Sequence, residues 1–315
     1  MRILVAEKSS FSQRGLQSLA EIAPVEARDL TQAQLVQTVP GFEVLVVRLG
    51  VQVDKQVLTA GADLRVVATP TTGLDHIDLP AAQERGIAVL SLKGERAFLE
   101  QVYATAEHTF ALLLCLVRRI PAAFEAVQRY EWRRDLYRGR ELSGKTLGIV
   151  GCGRLGSMVA RYGAAFGMQV LVYDPYQPHI PDGAVPCPTL AELLAECDVV
   201  SVHVPLNPET EGMFSAEQFS LLRPGAILIN TARGAVLDET ALLQVLESGR
   251  LAGAALDVLD NEYDLGLGAS NPLIEYTRLH YNLIITPHIG GATQESIEKA
   301  DMFIARKIGE YFSSL

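Results

Sequence analysis

The sequence predicts an α/β protein made of two parallel-sheet units, one inserted into the other. Three observations carry that prediction. Short apolar runs alternate with helical patterns from end to end, as parallel strands and crossover helices do. A fresh set of strands opens at a glycine loop, Gly151-Cys-Gly-Arg-Leu-Gly156, in the middle of the chain. The last element, Thr293 to about Phe312, is a long amphipathic helical pattern with no strand after it.

In chain order, the first strands are expected at Arg2–Glu7, Pro24–Arg28, Val44–Arg48, Arg65–Thr69 and Ala88–Leu92. Helical patterns such as Gln13–Ile22 and Leu79–Arg85 separate them. A long helix is expected from about Phe98 to Arg119, with another starting at Pro121. The second set of strands reads Thr146–Val150, Gln169–Asp174, Val199–Val204, Ala226–Asn230, Gly253–Val258 and Leu283–Thr286. Six strands complete a dinucleotide-type sheet. The terminal helix must pack somewhere, and the first unit is its natural host. The expected organisation is therefore a discontinuous unit of residues 1–98 and 288–315, flavodoxin-like, with residues 99–287 inserted as a second unit. Two chain crossings imply a hinge and a cleft, a common place for ligands.

The 315 residues suffice for two domains with sizeable cores. A composition 49% hydrophobic and 20% charged is that of an ordinary folded chain, not a disordered one. A formal charge of −10 without a basic stripe argues against nucleic-acid and anionic-membrane partners. The densest basic cluster, Arg133, Arg134, Arg138 and Arg140, is interrupted by Asp135 and Glu141 and reads as a solvated surface. The four cysteines show neither a C-x-x-C pair nor metal-ligand spacing, so no metal is expected and a reducing compartment is. No signal-peptide core follows Met1, and the longest apolar run, Phe110–Val117, is too short to span a bilayer. A cytoplasmic protein is the expectation.

The glycine loop follows an apolar strand and precedes the helical pattern Ser157–Phe166. In that context Gly151 permits a tight turn, Gly153 lets backbone approach a pyrophosphate, and Gly156 lets helix pack on strand. The next strand ends in Asp174, where an acidic side chain takes the adenosine ribose hydroxyls. The inserted unit is therefore expected to be a Rossmann domain that binds NAD. Asp174 would repel a 2′-phosphate, and Pro175-Tyr176-Gln177 offers no arginine for one, which favours NAD over NADP.

Three later motifs each close an expected strand. Asn230-Thr-Ala-Arg-Gly234 presents Arg233, whose guanidinium can bind a carboxylate and polarise a carbonyl oxygen. Asp257-Val-Leu-Asp-Asn-Glu262 presents Glu262, and Thr286-Pro-His-Ile-Gly-Gly291 presents His288. Taken singly, Arg233 reads as a surface ion-pair residue, Glu262 as a loop carboxylate and His288 as a core histidine. At successive strand ends beside a dinucleotide loop they read as a carboxylate clamp, an acid/base and its orienting anion. Reducing a ketone needs a proton donor at the oxygen, and Glu262 against the far nitrogen of His288 favours the imidazolium.

With these stretches, the chain resembles the D-isomer-specific 2-hydroxyacid dehydrogenases, a family that includes phosphoglycerate, glycerate and D-lactate dehydrogenases. The resemblance is carried along almost the full length. It includes Gly73-Leu-Asp-His-Ile-Asp78, Ala106-Glu-His108, Gly144–Gly156, Tyr173-Asp-Pro175, His203-Val-Pro-Leu206, Leu222–Gly234, Leu251–Val258 and Thr286–Gly291. It implies a catalytic trio of Arg233, Glu262 and His288 acting on a D-2-hydroxy acid and its 2-keto acid. It further implies cofactor contacts at Arg154, Leu155, Asp174, His203, Val204, Pro205, Thr210, Thr231, Ala232 and Asp257, and at Gly290 in the loop after His288. Asp257 would hold the nicotinamide carboxamide. The Thr71–Gly73 backbone, with Thr72 and Gly73, would hold the substrate carboxylate, and a homodimer would form through the NAD-binding domains.

Some residues depart from the family pattern. Tyr263 replaces the usual proline after the glutamate, and an insertion runs to Pro272. The linker Lys93–Val102 is longer and more charged than usual. Phosphoglycerate-type members carry two arginines after the third strand; here Arg48 is kept as a candidate substrate ligand and Gly50 takes the second place. With Leu315 as its last residue, the chain is expected to lack the additional C-terminal regulatory domain of some phosphoglycerate dehydrogenases. His76 and His108 are expected to be structural, and Trp132 a packing or dimer residue. Two rivals remain at this stage. A formate dehydrogenase would carry an amide at position 262, and a non-catalytic NAD-sensing scaffold of the same fold can retain the trio.

Overall fold

The structure, a computed structural model, describes residues 1–177, 179–262, 265–266 and 269–314. Tyr263, part of the departure noted above, lies outside the described residues, as does Leu315. Two compact units result: Met1–Val102 with Ala292–Leu315, and Tyr103–Gly291.

The first unit holds β1 (Ile3–Val5), β2 (Val25–Ala27), β3 (Val44–Val46), β4 (Val66–Ala68) and β5 (Ala88–Leu90). They form a parallel sheet in the order β2-β1-β3-β4-β5, the flavodoxin-like order, with its reversal between β1 and β3. The Val-Leu-Val of β3 is fully buried on both faces, so it prints as an unbroken apolar run rather than an alternation. The terminal helix, Gln294–Ser313, starts at Thr293, whose side chain accepts from Ser296 N–H. It buries Ile304, Ala305 and Ile308 against Ile3, Val5, Val44 and Val66, at about 2 kcal/mol for each large aliphatic side chain.

The second unit holds β6 (Thr146–Val150), β7 (Gln169–Tyr173), β8 (Val185–Pro186), β9 (Val199–Val202), β10 (Ile227–Asn230), β11 (Gly253–Leu256) and β12 (Leu283–Ile285). Their order is β12-β11-β10-β9-β6-β7-β8, all parallel. The reversal between β6 and β9 marks where a doubly wound sheet takes its ligand. One face is packed by Leu193, Phe214, Phe219 and Leu242, the other by Phe110, Leu113, Met158 and Val159.

Three expectations shift. The long helix over 98–119 is two helices, Arg96–Leu99 and Ala104–Val117. Between them the chain turns tightly, with Gln101 N–H on Phe98 O and Val102 N–H on Leu99 O. The unit boundaries fall after residues 102 and 291 rather than 98 and 287. Leu99 is buried beside Leu92 and Ala300, and the Phe98 ring lies 4.1 Å from that of Phe303, which keeps this linker with the first unit. At the other end, hydrogen bonds from Ile289 and Gly290 to Asp257 hold the His288 segment to the second. Finally, β8 is a two-residue exposed edge strand containing a proline, with no apolar run to announce it. No helix among the described residues is long and apolar enough to cross a membrane.

Candidate active site

All three candidate catalytic residues, and the glycine loop, stand on loops that follow strands of the second sheet. Gly151 leaves β6 at φ +89°, and a Cβ there would come 2.9 Å from the His203 carbonyl carbon. A Cβ on Gly156 would lie 2.0 Å from the Gly151 carbonyl oxygen, so the first turn of helix Arg154–Ala165 can close on the loop only with glycine there. Around Gly153 the corresponding space is open. Gly153 is also the N-cap, and no side chain caps this helix, so its first N–H groups are offered to an anion. This is the donor set a pyrophosphate needs, and the loop fits it. Leu155 packs on the sheet core, and Arg154 is half-buried.

Asp174 braces the glycine loop and the turn after β7. Its Oδ2 accepts Cys152 N–H at 2.7 Å and its Oδ1 accepts Tyr176 N–H at 2.9 Å. Tyr176 in turn donates its phenol to Glu209, a contact that pushes the phenol pKa up. Glu209 brings a second carboxylate to this end of the sheet, and no sequence motif announces it. His203 bonds Ser201 Oγ through Nε2 at 2.8 Å, and burial pushes its pKa down to about 4, so the ring is neutral at physiological pH. Val204 packs on Gly151, and Thr210 donates its hydroxyl to Pro205 O at 2.5 Å, bracing the loop after β9.

At the end of β10 the fully buried Asn230 clamps the next turn. Its Oδ1 accepts Ala232 N–H and its Nδ2 donates to Arg233 O. Thr231 Oγ lies 2.9 Å from Thr109 Oγ, and Arg233 Nη1 donates to Ala232 O at 2.7 Å. The guanidinium is thus carried on a backbone fixed from within.

The end of β11 organises the rest. Asp257 is 1% exposed. Its Oδ1 accepts Thr286 Oγ–H at 2.6 Å and Ile289 N–H at 2.9 Å, and its Oδ2 accepts Gly290 N–H at 2.7 Å. His108 Nε2 stands 3.2 Å from Oδ1 and 3.0 Å from Thr286 Oγ. Burial alone would raise this carboxyl, but the donors from His108, Thr286, Gly290 and Ile289 outweigh it and hold Asp257 below the usual range. Position 290 has no room for a side chain, since a Cβ would fall 2.8 Å from Asp257 Oδ2. His288 N–H donates to Asp257 O, and His288 adopts φ +54°, a conformation that costs a non-glycine residue energy and persists only where surroundings enforce it. Its ring Nδ1 lies 2.5 Å from Glu262 Oε1, with the two side chains 26% and 22% exposed. The ring is thereby oriented by a carboxylate on one nitrogen, which leaves Nε2 for chemistry. No role was legible in the sequence for Thr109 and Ser201, and only a structural one for His108; Thr109 and His108 act through neighbours distant in the chain, Thr231 and Thr286.

The first unit carries the other candidates. After β4, Thr71 Oγ–H donates to Gly73 O at 2.8 Å and lies 2.9 Å from Thr69 Oγ, which shapes the turn that exposes Thr72. Arg48 is not an open cation. Its Nη2 is ion-paired with Asp301, which is 0% exposed, and its guanidinium lies 5.2 Å from the Phe11 ring centroid.

Comparison with known proteins shows the family. The NAD-binding domain of the D-isomer specific 2-hydroxyacid dehydrogenases matches residues 110–290. D-3-phosphoglycerate dehydrogenase of Bacillus subtilis is 37% identical over 311 residues, which are 98% of this chain and 56% of that protein. The chain thus spans about half the length of the curated relatives it matches. Among solved structures, D-lactate dehydrogenase from Aquifex aeolicus, complexed with NAD and lactic acid, is 31% identical with a TM-score of 0.83, covering 100% of this chain and 96% of that one. The TT0316 protein from Thermus thermophilus is 37% identical with a TM-score of 0.85, covering 97% and 94%. The chain belongs to the D-isomer specific 2-hydroxyacid dehydrogenase family, and residues 110–290 are its NAD-binding domain.

Proposed function

We propose that the protein is an NAD-dependent oxidoreductase that interconverts a D-2-hydroxy acid and its 2-keto acid. The observation that carries this reading is the 2.5 Å contact of His288 Nδ1 with Glu262 Oε1, on a turn held by Asp257 at the edge of the NAD-binding sheet. Gly151, Gly153, Gly156 and the first turn of helix Arg154–Ala165 would hold the pyrophosphate of NAD, and Asp174 the ribose. Asp174 and the nearby Glu209 both disfavour an added 2′-phosphate. Bound NADH supplies the hydride for reduction at C2.

The chain's own residues do the rest. Arg233 binds the substrate carboxylate and draws electron density onto the carbonyl oxygen. His288 gives its Nε2 proton to that oxygen, and takes it back in the oxidation direction. Glu262 fixes the tautomer and steadies the positive charge on the ring.

A homodimer through the NAD-binding unit is part of the proposal. Helix Ile120–Gln128 and the residues after it expose Phe124, Val127, Tyr130 and Trp132, the last two at 98% and 85%. So much exposed aromatic surface is characteristic of an interface, and light scattering of the purified chain reads the mass directly.

The direct test is NADH oxidation with a panel of 2-keto acids: glyoxylate, pyruvate, hydroxypyruvate and phosphohydroxypyruvate. Turnover of at least one is expected, with His288→Ala lowering kcat by on the order of 1000-fold. Silence across the panel, or a His288→Ala variant within tenfold of wild type, would overturn the reading.

A further inference from the structure

We infer that a cavity at the amino edge of the second sheet binds a phosphate group, held by Arg119 and Arg140 with Arg138 and Asn282 beside them. The cavity lies wholly within the NAD-binding unit. It stands at the opposite edge of the sheet from the loops that carry Gly151, Arg233 and His288.

The sequence presents Arg138 and Arg140 as part of a solvated basic cluster. In the fold, that stretch borders a cavity of about 460 Å³, a size typical of small-molecule sites. Its polar lining comes from the three arginines with His280, Tyr281 and Asn282, and no carboxylate lines it among the described residues. Three further placements fix its position. Ile227 is the first residue of β10, while Ala252 and Asn282 immediately precede β11 and β12, and all three line the cavity. The catalytic candidates follow the other ends of these strands. With β10 and β11 four residues long, at about 3.3 Å per residue, roughly 10 Å or more of strand separates the two places. An anion in the cavity therefore competes with neither NAD nor substrate.

The guanidinium groups stand on closely packed backbone. A Cβ on Gly139 would come 2.4 Å from Val117 O, and Arg140 N–H donates to that same oxygen at 2.9 Å. Arg119 joins helices Ala104–Val117 and Ile120–Gln128 at φ +56°, a conformation that persists in a non-glycine residue only where its surroundings enforce it. Arginines near a helix end commonly cap its last carbonyls, but these two bond elsewhere. Arg140 Nη1 donates to Gly225 O at 3.2 Å, and Arg119 Nη1 to Leu136 O at 3.3 Å.

Charge selects the ligand. Among the described residues neither Arg119 nor Arg140 has a carboxylate partner, whereas Arg138 is paired with Asp135 at 2.8 Å. Two uncompensated guanidinium groups thus line one cavity in a chain of formal charge −10. Each spends one of its five N–H donors on a carbonyl and keeps the rest. A carboxylate has two oxygens, enough for one such fork, while a phosphate ester brings three and can engage both. The His280 ring stacks on Tyr276 with centroids 4.0 Å apart, which sets it at the wall.

The test is isothermal titration calorimetry of the full chain with inorganic phosphate, under saturating NAD so that the glycine loop is filled. One phosphate per chain is expected, with a Kd of about 1 mM or tighter. Arg119→Gln and Arg140→Gln should each weaken it by about tenfold, and Arg138→Gln by less, its charge being already paired. Arg233→Gln should leave the Kd unchanged. Circular dichroism reports whether each variant is folded, and Arg140→Lys, which keeps the charge but loses the fork, serves if Arg140→Gln is not. Glycerol 3-phosphate binding more tightly than inorganic phosphate identifies a phosphate ester as the occupant, and equal affinity identifies the free ion. The inference is overturned by absence of binding, by equal affinity for acetate, by a Kd unmoved in the Arg119 and Arg140 variants, or by its loss in Arg233→Gln. None of these readouts depends on turnover, so the oxidoreductase reading stands or falls separately.

Discussion

Asp257, at the end of β11, and Asp301, midway along the terminal helix, are both shut off from solvent, yet the two units tune them in opposite directions. Burial is the largest influence on each, and it pushes a carboxyl up. At Asp257 the donors from His108, Thr286, Gly290 and Ile289 overcome it, and the carboxyl sits below its usual range. At Asp301 the Arg48 guanidinium and the Ser12 N–H counter burial only in part, and the carboxyl stays above it. Asp257 thus draws on donors from four residues, and Asp301 on Arg48 and Ser12 alone. The consequence follows location: the first arrangement fixes the turn carrying His288, while the second ties the terminal helix to β3.

The largest effect expected from breaking this contrast is on turnover. Asp257→Asn keeps an acceptor toward Thr286 and Ile289 but sets an amide N–H against Gly290 N–H, so the 288–291 turn must move. A shift of about 1 Å in a catalytic group costs on the order of 100-fold. The variant is expected to lose that much kcat/KM on every keto acid tested, with NADH affinity read separately by fluorescence titration. Retention of wild-type rates would show that the donors at Asp257 do not position His288.

The contrast has a signature in pH. A carboxyl lowered by folding contributes stability that is complete above its unfolded value and is lost as pH falls through the folded one. Asp257 is of this kind, so the stability deficit of Asp257→Asn should shrink only in acid, below the ordinary carboxylate range. A carboxyl raised by folding does the reverse. The stability it gives is present below the unfolded value and falls away as pH rises through the folded one. The deficit of Asp301→Asn should therefore shrink as pH rises above the ordinary carboxylate range. Urea unfolding of both variants and wild type from about pH 3 to about pH 7 reads the two slopes; slopes of the same sign would refute the assignment.

The same pair shows what a sequence discloses. The strands were legible because a doubly covered parallel strand is an apolar run, as at Val44–Val46 and Val199–Val202. The edge strand Val185–Pro186 was not, because both residues are exposed and one cannot donate to the ladder. The candidate site residues were legible as the motifs that close the strands of the second sheet. Their supports were not: His108 meets Thr286 across 178 residues of chain, and Thr109 meets Thr231 across 122. Arg48 shows the cost of that blindness. The sequence presents a cation after β3, and only the fold brings Asp301, 253 residues away, to neutralise it.

The smallest expected effect discriminates most finely, because it sets equal losses of stability against unequal losses of activity. Thr286→Val is nearly isosteric, yet it deletes the 2.6 Å donor to Asp257 and the 3.0 Å partner of His108. One such hydrogen bond is worth about 1 kcal/mol. On the other unit, Ser12→Ala removes the oxygen that caps Gly15 N–H, also worth about 1 kcal/mol, and the hydroxyl's own contribution at Asp301, while the Ser12 backbone N–H to Asp301 survives the change. Thr286→Val should therefore let the Asp257 carboxyl rise and cost several-fold in kcat/KM. Ser12→Ala should lower the melting temperature by a similar amount with no matching loss of rate. If the two variants lose activity in parallel with stability, the distinction between a carboxylate that builds the site and one that fastens a helix does not hold.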